Sequence, residues 1–125
     1  MSAPVVFQAV YPIGDTDTNA LPVKDLGPAI GYYIHVLGFS LVEKDEQKAV
    51  LKRDAVQIGL ARNGHDPEQA SCYFAVSDVA VLRAELEGKD IEPSPMRLDE
   101  HDGKAYRVFF AKEPFGVCFC FGQPV

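Results

Sequence analysis

The chain has 125 residues, 47% of them hydrophobic and 24% charged, with a formal net charge of −6. That length suits a single domain able to bury a core without staples. No stretch approaches the ~20 apolar residues of a membrane span, and the acidic balance argues against nucleic acid as a partner while remaining compatible with a cationic ligand.

The N-terminus, MSAPVVFQAV, lacks the basic and long apolar regions of a secretory leader, so the expected compartment is the cytoplasm and the three cysteines are expected to be reduced thiols. Val5–Ile13 reads as a first strand, rich in β-branched residues. The polar run from Gly14 to Asn19 reads as a loop inserted before the extended Leu21-Pro22-Val23. Asp25 is placed to cap a helix whose apolar face is Leu26, Ile30, Tyr33 and Leu37, with Gly38 after its end. Strands are expected at Phe39–Glu43, Ala49–Lys52 and Val56–Ala61, followed by a polar linker, Arg62–Gln69.

The second half repeats this plan, with Val76-Ser77-Asp78-Val79 lying 53 residues after Val23-Lys24-Asp25-Leu26. Ser71–Val76 reads as a strand, and Asp78 as the cap of a helix with Val79, Leu82 and Leu86 on one face. Gly88-Lys89-Asp90 ends that helix, and Ile91 starts a short strand. Pro93–Gly103 reads largely as loop, and Ala105–Ala111 and Val117–Phe121 as strands joined by a hairpin at Glu113-Pro114-Phe115-Gly116. The expected fold class is therefore α+β: two tandem βαβββ modules, about 4–62 and about 70–123, forming curved mixed sheets around a cavity within one domain of residues 1–125. Neither module alone can bury both its helix face and its sheet face, whereas two side by side can. GxGxxG, Walker and HExxH motifs are absent.

Val23-Lys24-Asp25-Leu26, Tyr32-Tyr33 and Leu37-Gly38-Phe39, then Phe74-Ala75-Val76-Ser77-Asp78-Val79, and finally Glu113-Pro114-Phe115-Gly116, together resemble the signatures of the vicinal oxygen chelate superfamily, also called the glyoxalase/bleomycin-resistance/extradiol-dioxygenase fold. The resemblance covers nearly the whole chain and rests on the order of the motifs. It implies paired βαβββ modules, a homodimer, and in many members a divalent metal held between modules by His, Glu or Gln, acting as a Lewis acid.

Carried over by position, the four implied metal positions fall on Gln8 or Tyr11, on Gly59 (with Gln57 nearby on the same face), on Cys72 and on Cys120. This is not a hard oxygen-and-imidazole set, and His35, His65 and His101 lie on a helix or in polar segments. The expectation is no metal ligand and no cofactor. Cys118 and Cys120, two apart on a strand, share a face. They read either as a thiolate or redox site with Cys72 across from them, or as three small buried hydrophobes, the commoner role of free cysteine. Phe74 shares a face with Cys72 and is a candidate pocket wall. Arg107, in the apolar strand AYRVFFA, is a candidate polar-ligand contact, with Tyr106 on the opposite face.

The pocket candidates are thus Gln8, Tyr11, Gln57, Cys72, Phe74, Arg107, Cys118 and Cys120. The leading expectation is a homodimeric small-molecule binding protein of the glyoxalase/bleomycin-resistance type, holding an apolar or cationic ligand without a metal. A metal-dependent lyase, isomerase or dioxygenase with an atypical site, and a degenerate member acting only in partner binding, stand as alternatives; no catalytic residue is assigned.

Overall fold

The computed structural model describes residues 5–14, 16–87, 89, 93–112 and 116–125. Two helices, α1 (Leu26–His35) and α2 (Val79–Glu87), accompany nine strands: β1 (Phe7–Pro12), β2 (Leu21–Pro22), β3 (Ser40–Lys44), β4 (Lys48–Arg53), β5 (Val56–Ala61), β6 (Ser71–Val76), β7 (Arg97–His101), β8 (Lys104–Lys112) and β9 (Cys118–Pro124). The expected α+β class holds. The strands form two open mixed sheets, one of five strands in the order β1-β6-β9-β8-β7 and one of four in the order β2-β5-β4-β3.

The first strand behaves differently from the expectation. Its bulk, β1, leaves the first half and pairs antiparallel with β6. Only the two residues of β2 stay behind, parallel to β5, as β6 runs parallel to β9 in the second half. The inserted segment after Ile13 separates the two duties. A bulge between Phe7 and Ala9 also reverses the faces of β1. Phe7 points into the core, yet Ala9 and Tyr11 lie across from Ala75 and Tyr73 on the other side.

The expected loop at Pro93–Gly103 contains β7. This strand is charged and lies at a sheet edge, so it carries no apolar signature. Asp102 and Gly103, at φ +52° and +76°, make the tight turn into β8, the conformation for which an Asp-Gly pair is suited. Asp78 caps α2 by accepting from the Val81 amide at 3.1 Å, whereas Asp25 is extended and makes no side-chain cap bond. The expected start of a strand at Ile91 and the hairpin residues Glu113–Phe115 lie outside the described residues.

One core joins both sheets to both helices. Leu26, Ile30, Tyr33 and Leu37 from the first half and Val79, Leu82 and Leu86 from α2 are all buried in it. Its centre is aromatic. Phe74 meets Phe7, Phe39, Phe119 and Phe121 at centroid separations of 5.4, 6.1, 5.3 and 5.4 Å, and Tyr33 of α1 meets Phe119 edge-on at 5.9 Å. Rings at such spacings add to their area burial through quadrupole contacts.

The end of α1 is tied down from two directions. Arg53 donates to the Leu37 carbonyl at 2.7 Å and to the Val5 carbonyl at 3.2 Å, with its guanidinium 4.3 Å from the Phe7 ring centroid. Lys89 donates to the Val36 carbonyl at 3.2 Å. These cations satisfy carbonyls that the last helical turn leaves without intrahelical partners.

Candidate functional site

The five-stranded sheet has a helix-packed face and an open face. Strand register decides what each carries. Cys72 pairs with Phe119 and Phe74 with Phe121, and all four are buried in the core. Tyr73 pairs with Cys120, which pairs on its other side with Phe110. Ser71 pairs with Cys118, Val108 with Gly122, Tyr106 with Asp99 and Val108 with Arg97. The open face therefore reads, across the strands, Tyr11, Tyr73, Cys118 and Cys120, Tyr106 and Phe110, then Arg97 and Asp99. Five strands at about 4.8 Å spacing make this floor ~19 Å wide.

The floor is apolar at its centre and charged at its margins, with Arg97 and Asp99 on β7 and Lys112, paired to Glu68, beside Cys118. A side chain on Gly122 would overlap the Tyr73 ring and hydroxyl, so the absent Cβ is what allows that ring to lie across β9. Tyr11 and Tyr73 lie 6.2 Å apart, centroid to centroid. Tyr11 is 55% exposed, whereas Val108, across Gly122 on β8, is only 2% exposed. Burial, then the neighbouring Cys120, Tyr106 and Tyr11, push the Tyr73 hydroxyl up to about 12. Burial, with Asp99 and Cys118 adding to it, pushes the Cys120 thiol up to about 11. Both groups are neutral at physiological pH. At the β7 edge, Arg97 lies 4.8 Å over the Phe110 ring and donates to Asp99 at 3.1 Å.

Three of the sequence candidates, Tyr11, Cys118 and Cys120, thus share this face. Gln57 is exposed on the open side of the other sheet, and Gln8 is exposed at the β1 bulge. Cys72 and Phe74 do not line a pocket: they face the helices, and Tyr73 occupies the place across from Cys120. Because the strand SCYFAV is apolar on both sides, its pattern cannot show which side turns inward. Arg107 is likewise on the helix-packed side, opposite Gln123, whose side chain accepts from the Val79 amide at the start of α2. Its strand neighbour Tyr106 has the open face instead. Sequence reasoning missed Tyr73, Arg97 and Asp99, and the available signal was Gly122, a glycine inside an otherwise apolar strand.

Two surface hollows lie elsewhere. One, of about 510 Å³, is bounded by Arg83, Glu87, Pro95 and Met96 beside α2. The other, of about 420 Å³, lies over Arg53, Asp54 and Glu85, where Arg53 is already committed to backbone carbonyls. Neither gathers the rings and the charged pair that the open face does.

Chains with this arrangement are known. Solved structures that superpose include the bleomycin-binding protein of bleomycin-producing Streptomyces verticillus, in complex with copper(II)-bleomycin, at TM-score 0.69 and 20% identity over 85% of this chain and 93% of that one. A glyoxalase/bleomycin resistance protein/dioxygenase from Alicyclobacillus acidocaldarius superposes at TM-score 0.71 and 16% identity over 88% and 91%. This chain has the vicinal oxygen chelate fold. By sequence, it is 34% identical over 80 residues to proteins named bleomycin resistance protein from Geobacillus stearothermophilus and Staphylococcus aureus. The match spans 57% of this chain and 61% of theirs. No family model matches the chain.

The vicinal oxygen chelate fold implies a metal between modules, and the residues at its four positions do not fit one. Cys72 faces the core, away from Cys120. The open side of Gly59 is filled by the backbone of Asn19. Gln8 and Tyr11 offer at most weak neutral donors. Among the described residues, no three His, Cys, Asp or Glu side chains converge as a metal site would require. Burial pushes the Cys72 thiol up to about 12, which disfavours the thiolate a soft metal needs.

Proposed function

We propose that this chain binds a small molecule on the open face of its five-stranded sheet, in the manner of the bleomycin-resistance type, and holds it without a metal and without covalent change. The observation that carries this reading is the row of rings from the exposed Tyr11 through Tyr73 to Tyr106 and Phe110, the last three half-buried, left uncovered by either helix. Apolar walls supply affinity, and a few polar groups orient the bound molecule. Here the neutral Tyr73 hydroxyl and the Arg97–Asp99 edge are those groups. The net charge of −6 favours encounter with a cation. The bleomycin resistance proteins among the relatives support an apolar or cationic antibiotic as the ligand class.

The same reading places the protein in the cytoplasm as a homodimer. No described helix is long and apolar enough to cross a membrane. A single copy leaves the ring face open on one side. Sedimentation equilibrium at micromolar concentration is expected to return twice the chain mass.

Calorimetric titration with metal-free and copper(II)-bleomycin tests the binding reading. Saturable binding in the micromolar range or tighter is expected, weakened at least about tenfold by Phe110→Ser. No heat up to millimolar ligand, across a panel of aromatic cations, would sink it. The enzymatic alternative draws no support from the donor set, and a convergent metal site would be its first requirement.

A further inference from the structure

The open side of the four-stranded sheet differs from that of its larger neighbour. Along β5, Val56, Ile58 and Leu60 turn into the core, and Gln57, Gly59 and Ala61 turn outward. Gly59 is nevertheless buried. The chain between β1 and β2 folds over it, so that a Cβ at position 59 would overlap the carbonyl of Asn19.

This passage is anchored along its length. The Ser71 amide donates to the Thr16 hydroxyl at 3.0 Å, and the Gly59 amide to the Thr18 carbonyl at 2.9 Å. The Asn63 side chain donates to the Ala20 carbonyl at 3.2 Å. Asp17 accepts at its side chain from the Asn19 amide at 2.9 Å and at its carbonyl from the Ala20 amide at 3.0 Å. Ser71 opens β6 of the large sheet, and Gly59 belongs to β5 of the small one. The same five residues therefore tie one sheet to the other.

We infer that residues 16–20 are a strap seated on Gly59, which covers the outward side of β5 at that one position, makes any side chain at position 59 incompatible with the seated strap, and confines ligand contact at the two equivalent positions of the halves to Cys120 of the five-stranded sheet. The confinement rests on the binding reading above; the seating of the strap does not. Gly59 is pseudo-equivalent to Cys120: Leu21 pairs with Leu60 as Phe74, 53 residues later, pairs with Phe121, and Gly59 and Cys120 each lie one residue before that partner. One half thus presents a side chain to the site, and the other presents backbone. The strap is accordingly a specificity element: it takes one of the two equivalent positions out of reach of a ligand.

Hydrogen exchange followed by mass spectrometry tests the seating on the intact chain. In wild type, the amides of Asn19, Ala20, Gly59 and Ser71, which are hydrogen-bonded, are expected to be protected. In Gly59→Ala, these same amides are expected to exchange at least about tenfold faster, with β8 and β9 unchanged. The pair Thr16→Val with Asn63→Ala removes anchors without adding atoms near β5. It is expected to give the same selective release, and it stands in if Gly59→Ala does not fold. Unprotected amides in wild type, unchanged exchange in a folded variant, or acceleration spread through β8 and β9 would each overturn the strap. Titration with anilinonaphthalene sulfonate tests the confinement: release of the strap is expected to add a second class of dye sites. Selective release with unchanged stoichiometry keeps the strap and overturns the confinement. If Phe110→Ser leaves dye binding to wild type unaltered, the binding reading fails while the exchange result stands.

Discussion

Arg53 shows how one side chain can hold several elements. It lies one residue beyond the expected strand Ala49–Lys52, where an arginine is ordinarily solvated. Its 13% exposed side chain instead bridges two backbone carbonyls, 16 and 48 residues away in sequence. Its approach to Glu85 at 3.9 Å is a weaker matter, because that carboxylate is 40% exposed and such pairs are worth little. The carbonyl bonds are charge-assisted and half-buried, so they decide the energetics. Arg53→Lys keeps the charge but cannot span both carbonyls with a planar fork. It is expected to lower stability by about 1.5–3 kcal/mol in urea denaturation, whereas Glu85→Gln should stay within about 0.5 kcal/mol. Equal small losses in both variants would mean that the bridge contributes nothing.

At the scale of the element, β6 carries both the core and the site on alternate residues. Phe74→Ala removes the ring that four others surround and is expected to cost about 3–5 kcal/mol. Phe110→Ala, on the half-exposed face, should cost less than half as much. A comparable loss at both positions, measured by denaturant midpoint at constant m-value, would contradict the assignment of faces. The buried face of α1 was legible in the sequence because Leu26, Ile30, Tyr33 and Leu37 recur at helical spacing, although Tyr32 is buried beside them. The alternation of β6 was not, because SCYFAV is apolar on both sides and only its register with β9 distinguishes them. The bulge at Gln8 defeats parity counting along β1, since one extra residue turns the rest of the strand over. The charged edge strand β7 carries no burial pattern, although Asp102-Gly103 marked its turn. Gly59 was noticed as a position without a donor. Its physical meaning, a close approach of backbone, needed the path of the inserted segment, which no local pattern encodes.

For the whole molecule, the neutral acids in and beside the core set a limit on alkaline stability. Burial raises the Cys72 thiol from 9.0 to about 12 and is the main cause that raises Cys120 from 9.0 to about 11 and Tyr73 from 10.0 to about 12. In the unfolded chain these groups ionise at their ordinary values, so above about pH 9 the folded state binds more protons than the unfolded one. Their contribution to stability is therefore complete below about pH 9 and is lost as pH rises toward 11–12. The deeply buried Cys72 steepens the decline by up to about 1.4 kcal/mol per pH unit within its own window, and the less buried Cys120 and Tyr73, screened by solvent, by less. Between pH 8 and pH 10, Cys72 alone is expected to account for about 1.4 kcal/mol of the fall in unfolding free energy. Cys72→Ala loses some packing at every pH, but its readout is the slope: the fall between pH 8 and pH 10 should shrink by that amount. If the wild-type and Cys72→Ala slopes coincide, the buried thiol is not what couples this fold to alkaline pH. The decline would then come from general repulsion in a chain that already carries a net charge of −6.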